Sequence, residues 1–167
     1  MNDPSKANQE LLEEISFLKK RIQELEKSDA EHKQEEKTLK ENNDKFLSLA
    51  STIPGNIAYV NANTLQYEFV NDTFEKSFGI PREKIIGQHI KDIIGEANYK
   101  FAIKYIEEVR LGKSISYENT FDLVSGKRWI QVNYTPVTDA NGLVASIAVL
   151  SLDITERKKA EEALQAW

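Results

Sequence analysis

The chain reads as an α+β protein: a five-stranded antiparallel sheet with helices on one face, preceded by a long N-terminal coiled-coil helix. Three observations carry that reading. Up to about Lys45 the composition is dominated by Glu, Lys, Gln and Asn, with no glycine and no proline after Pro4. From Phe46 onward, two short alternating stretches, a helical middle and three further alternating stretches follow one another, separated by turn residues. Residues 126–159, GKRWIQVNYTPVTDANGLVASIAVLSLDITERKK, then pass from two strands into a charged helix without a break. Whatever moves those strands must move that helix.

In the N-terminal helix, Leu11, Ile15, Leu18, Ile22 and Leu25 alternate spacings of four and three, the seam of a coiled coil. With Ile15 and Ile22 at a and the leucines at d, the pattern favours a parallel two-stranded assembly, hence a homodimer. The flanking charges agree, because Glu14 with Lys19, Arg21 with Glu26 and Glu35 with Lys40 attract across two parallel helices. The same register puts Asp29 and Glu36 at a and His32 at d before Leu39, Phe46 and Ile53 restore apolar d positions. Repelling carboxylates make the segment between Leu25 and Leu39 weak or switchable, and Asn43 at a favours a dimer over higher states. A single solvated helix is the alternative.

After the helix, Ile57–Asn61 and Gln66–Val70 read as a hairpin joined by Asn-rich turn residues. Asn71 or Asp72 caps a short helix in which Glu75 completes a capping box with Asp72, and Gly79 ends it. Pro81 opens PREKII, which Gly87 closes; IKDII ends at Gly95. Ala97–Leu111 is the longest helix of this part, with Phe101, Tyr105, Ile106 and Val109 available to face a sheet. Ser114–Leu123 alternates with Tyr117, Asn119, Phe121 and Leu123 on one face, and Trp129–Val137 with Ile130, Val132 and Tyr134. Asp139–Gly142 supplies a turn before Leu143–Leu152, and Thr155 caps the final helix through its hydroxyl. The three parts are thus a coiled-coil helix over 1–45, a mixed domain over 46–154 and a linker helix over 155–167.

Composition bounds the rest. In 167 residues, 40% hydrophobic and 29% charged, there is room for one ordinary domain and an extension. No apolar run approaches the roughly 20 residues that cross a bilayer, and MNDPSKANQE lacks a signal-peptide core, so the chain is expected to be cytoplasmic with no membrane in this segment. The absence of cysteine excludes disulfides and cysteinyl adducts. A net charge of −5 with interspersed signs argues against nucleic acid. The chain stops in mid-helix at Leu164–Trp167, which suggests a fragment or a missing output domain.

Phe69-Val70-Asn71 leading to Phe74, Gly79 followed by Glu83, Ile85 and Gly87, Gly126-Lys127-Arg128-Trp129-Ile130, Pro136-Val137, Asp139, Gly142, and Asp153-Ile154-Thr155-Glu156-Arg157 together resemble the PAS domain. This sensory module occurs in histidine kinases, cyclic-nucleotide and diguanylate enzymes and transcription regulators. The resemblance covers about two thirds of the chain. It implies a PAS-like fold, a signal-relay function in a protein such as a sensor histidine kinase, adjacent signalling domains, and an output helix joined to the sheet by the last motif. Within it, Asp153, Thr155 and Arg157 are the candidates for signal transmission, Asp153 by accepting nearby backbone amides or by pairing with Arg157 or a strand residue.

A sheet face carrying Tyr67, Phe69, Tyr117, Phe121, Ile130, Val132, Tyr134, Ile147 and Val149, closed by Phe101 and Tyr105 of the long helix, either encloses a small-molecule pocket or simply fills a core. Asn119 and Ser151 favour the pocket, since inward polar groups need partners. No cofactor is identified. Haem-binding relatives use a histidine on the long helix, where this chain has none; His89 falls in a loop, and flavin or chromophore adducts need the missing cysteine. A polar residue matching Ser151 contacts the ring in flavin-binding relatives, and the small hydroxyl here speaks against flavin. His32 lacks the context of a phosphoacceptor. No convergent acid, base and nucleophile appear, so no enzyme is expected. A ligand-free dimerisation and spacer module is the rival reading.

Overall fold

The computed structural model describes residues 4–167, and these form two compact units, one up to Phe46 and one from Leu47 onward. Helix α1 (Pro4–Thr52) is continuous. Charge pairs one turn apart support it, including Lys33 with Asp29 at 2.6 Å and Lys27 with Glu31 at 3.8 Å. The first of these matters for the register, since it gives one of the a-position carboxylates a cation on its own helix. The helix outlasts the composition change at Lys45, because Leu47, Leu49 and Ala50 are good helix formers. It ends where Ser51 and Thr52 turn their hydroxyls back onto the carbonyls of Leu47 and Leu49 (2.9 and 2.8 Å), ahead of Pro54.

In the second unit, β1 (Asn56–Asn61) and β2 (Tyr67–Val70) form a hairpin, followed by α2 (Asp72–Phe78), α3 (Arg82–Ile85), α4 (Ile90–Ile94) and α5 (Glu96–Arg110). A meander of β3 (Ile115–Leu123), β4 (Gly126–Thr138) and β5 (Val144–Asp153) leads into α6 (Thr155–Gln165). The strands lie in the order β2-β1-β5-β4-β3, every pair antiparallel, so the first hairpin joins the sheet through the last strand. A register shift between Tyr59 and Val60 kinks the hairpin. Leu65, at φ 56, is held in the left-handed region by burial of its side chain and by its carbonyl, which accepts the Ile90 N–H at 2.9 Å. Arg110 ties the end of α5 to the same turn, donating from Nε to the Ala62 carbonyl at 2.6 Å.

The core lies between the inner sheet face and the helices, with Phe74, Ile85, Ile90, Ala102, Ile106 and Val109 packed against Ala58, Val60, Ile130, Val132 and Ile147. The capping box expected between Asp72 and Glu75 does not form. Asn71 caps α2, while Glu75 Oε1 accepts the Arg82 N–H at 2.6 Å and the Arg82 guanidinium reaches both Asp72 and Glu75. Arg82 competes successfully because a guanidinium satisfies both carboxylates at once. Gly79 closes α2 in the left-handed conformation, φ 66, where a Cβ would also lie 2.7 Å from Val124.

Candidate functional site

Alternation along the strands aims one set of side chains at the helices, and the two layers do not quite close. They leave an interior cavity of about 50 Å³. From the sheet come Asn56, Val60, Tyr67, Tyr117, Phe121, Leu123, Ile130, Val132, Tyr134, Ile147, Val149 and Ser151; Phe74, Phe78, Ile90, Ile94 and Ile106 close it from the helices. The Tyr117 and Tyr134 hydroxyls are hydrogen-bonded to each other at 2.9 Å. Burial pushes Tyr134 up to about 12, and burial followed by the influence of Tyr134 raises Tyr67 and Tyr117. All three are neutral phenols at physiological pH.

Four of the expected pocket residues lie elsewhere. Phe69 falls on the other face of the sheet, with its ring edge toward Tyr59 (6.4 Å), because the kink in the hairpin leaves Tyr67 and Val70 as the inward pair on β2. Phe101 and Tyr105 stand behind the wall. Tyr105 stacks on the outside of Tyr117 at 4.5 Å and 6°, Phe101 packs at 5.6 Å, and Lys104 covers both rings. Asn119 is drawn to α5, donating to Asn98 Oδ1 at 3.2 Å, where its amide finds a polar partner outside the cavity. Asn56, Val60, Leu65, Phe74, Phe78, Ile90, Ile94, Ile106 and Leu123 line the cavity without having been anticipated there. The i, i+4 spacing of the two phenylalanines on α2 was the available signal, whereas the inward aim of Asn56 follows from its pairing opposite Ser151.

The second element is the joint between sheet and exit helix. Thr155 does not cap α6 through its hydroxyl: Oγ1 accepts the Trp129 N–H at 3.0 Å instead, while Asp153 Oδ1 accepts the Thr155 N–H at 2.9 Å. The Ile154 N–H donates to the Trp129 carbonyl at 2.8 Å, so β4 holds the first residues of the exit helix by backbone and side chain together. Arg157 does not pair with Asp153. Its guanidinium reaches Glu118 on β3 at 2.6 Å, and Lys158 meets the same carboxylate at 2.5 Å while lying over the Trp129 ring. Lys158 and then Arg157 lower the Glu118 carboxyl below the ordinary glutamate range. Glu118 was missed because it sits 39 residues from Arg157 in the chain. It is the immediate neighbour of Tyr117, so one residue faces the cavity and the next grips the exit helix.

A third element lies where the chain enters the sheet. The Asn71 side chain is 1% exposed and uses its whole hydrogen-bonding capacity. Oδ1 accepts the N–H groups of Ile57 (3.0 Å) and Phe74 (3.1 Å), and Nδ2 donates to the carbonyls of Ala50 and Gly55, both at 2.9 Å. One amide thus joins the last turn of α1, β1 and α2. In the first unit, the seam residues Leu11, Ile15, Leu18, Ile22, Leu25 and Leu39 are all exposed. His32 lies 3.9 Å from Glu35 on the same helix, and His89 caps α4 with Nδ1 accepting the Lys91 N–H at 3.1 Å. Among the described residues no group of His, Cys, Asp and Glu could hold a metal ion, and no helix is long and apolar enough to cross a membrane.

A family model described as the PAS fold matches residues 50–159. The chain belongs to the PAS family. Solved structures agree on the fold of this PAS domain. An RNA-binding light-oxygen-voltage receptor superposes with a TM-score of 0.62 at 18% identity, over 74% of this chain but only 36% of its own. The PAS domain of an HTR-like protein from Haloarcula marismortui gives 0.58 at 18% identity over 73% of this chain and 99% of its own. That of the Cronobacter turicensis RpfR quorum-sensing receptor, in complex with BDSF, gives 0.53 at 18% over 63% and 98%. No curated protein matches the chain.

Proposed function

We propose that this PAS domain is a sensory relay: a small molecule enters the cavity, and the resulting shift of β3 and β4 passes to α6 and to adjacent signalling domains of a longer cytoplasmic protein, such as a sensor histidine kinase. The observation that carries the reading is the sharing of strands between cavity and joint. Tyr117 and Glu118 are neighbours on β3, and Trp129 and Ile130 are neighbours on β4; in each pair one residue lines the cavity and the other holds α6. A ligand that repositions Tyr117 or Ile130 therefore changes the anchor of the helix. Copies of the chain associate as a parallel homodimer through the α1 seam, a row of exposed Leu and Ile side chains. The module binds and relays without catalysing a reaction.

Native mass spectrometry of the purified full chain tests this, with a copurified molecule as the expected result. The rival reading, a ligand-free spacer, is favoured by the small size of the cavity. Persistently empty protein together with no thermal shift across a metabolite panel would establish the spacer.

A further inference from the structure

The cavity wall also specifies what it will accept. None of its residues is Asp, Glu, Lys, Arg or His. Its polar groups are neutral, four hydroxyls and one amide, and each can donate a hydrogen bond. Tyr67 is 5% exposed, and its hydroxyl has no hydrogen-bond partner among the described residues. Tyr117 and Tyr134 share a single hydrogen bond between two hydroxyls, which leaves one proton to give. Asn56 accepts from Ser77 at 2.8 Å, leaving its amide N–H groups for the cavity, and Ser151 stands directly opposite on β5.

A charged guest would exchange its hydration for uncharged dipoles, with no counter-ion to compensate it. A guest with an acceptor oxygen would instead satisfy donors that the fold leaves unpaired. Size narrows the class further. A water needs about 10–15 Å³ of such space, so about 50 Å³ has room for roughly three to five non-hydrogen atoms. With neither lysine nor cysteine in the wall, a carbonyl carbon meets no amine or thiol and is held reversibly.

We infer that the cavity binds a small uncharged carbonyl compound, with its oxygen toward the Tyr67 hydroxyl and the Tyr117–Tyr134 pair; this rests on the sensory reading and specifies its ligand. Acetone, acetate and acetamidinium have nearly the same shape and differ in charge. Titrated into the full chain with ¹³C-labelled methyl groups, acetone should shift Val60, Ile147 and Val149 saturably while leaving the exposed Leu12 and Leu164 unmoved. Acetate and acetamidinium should bind at least about tenfold more weakly. Tyr67→Phe keeps the ring packed on Phe74 and should weaken acetone about fivefold with the melting temperature near that of the parent. Tighter binding of either ion, no saturable shift with acetone, or an unchanged affinity in Tyr67→Phe would overturn the inference while a copurified ligand of another class kept the sensory reading intact. Empty, unresponsive protein would remove both.

Discussion

The two joints of the PAS domain are built from different chemistry. At the entrance, a single buried amide makes four hydrogen bonds to backbone groups of α1, the following loop, β1 and α2. At the exit, a hydroxyl and a carboxylate set the first turn of α6, and surface charges on Glu118, Arg157 and Lys158 hold the next. A neutral, fully satisfied network in a low-dielectric site is strong and indifferent to salt and pH. Exposed ion pairs are worth little individually and are screened. The entrance is thus held more firmly than the exit, as the proposed relay through α6 requires.

The largest expected effect comes from breaking the entrance. Asn71→Ala strips partners from buried N–H and carbonyl groups and should cost on the order of 3 kcal/mol in urea unfolding. Asn71→Asp, which sets a carboxylate oxygen against the carbonyls of Ala50 and Gly55, should be at least as damaging. A loss below about 1 kcal/mol in both variants would mean that the amide is not the organising contact. Thr155→Val, nearly isosteric, leaves the Trp129 N–H without its acceptor and should cost about 1 kcal/mol. Hydrogen exchange should quicken in α6 and at Trp129 before it does elsewhere.

Smaller effects separate the joints by electrostatics. Glu118→Gln should leave global stability almost unchanged while accelerating exchange in α6, and adding salt to the parent should reproduce that acceleration without touching the Ile57 amide. If salt loosens both ends equally, the contrast is lost. The pH dependence has a definite sign. Because Lys158 and Arg157 lower the Glu118 carboxyl in the folded state, its contribution is complete above the ordinary glutamate value of about 4.3 and disappears as pH falls through the lowered folded value. The Asn71 side chain carries no titratable group, so its hydrogen bonds should persist through that window. Amide exchange in α6 and at Ile57, followed down the same acid titration, measures the difference.

Much of the fold was legible because its signals are local. Period-two alternation in Ser114–Leu123 and Trp129–Val137, the turn at Asp139–Gly142 and the glycines after α2 and α4 act within a few residues, and the strands and helices appear where these place them. Faces were legible only where a strand stays regular. On β4 the alternation holds, but on β2 the register shift in the hairpin sends Phe69 outward. Thr155 and Asp153 were visible as a helix start, but not the strand N–H that claims the threonine hydroxyl.

By itself the sequence determined the α+β class, the element order, the apolar seam of α1 and the absence of cysteine from the cavity wall, since composition and short-range periodicity act before the chain is folded. The tertiary structure decided the strand order, the size of the cavity, and the choice of Asn71 and Glu118 as clasps. Those depend on groups far apart in the chain, such as Ala50 with Asn71 and Glu118 with Arg157, meeting within hydrogen-bond distance. A buried donor or charge takes whichever partner the packed layers bring to it.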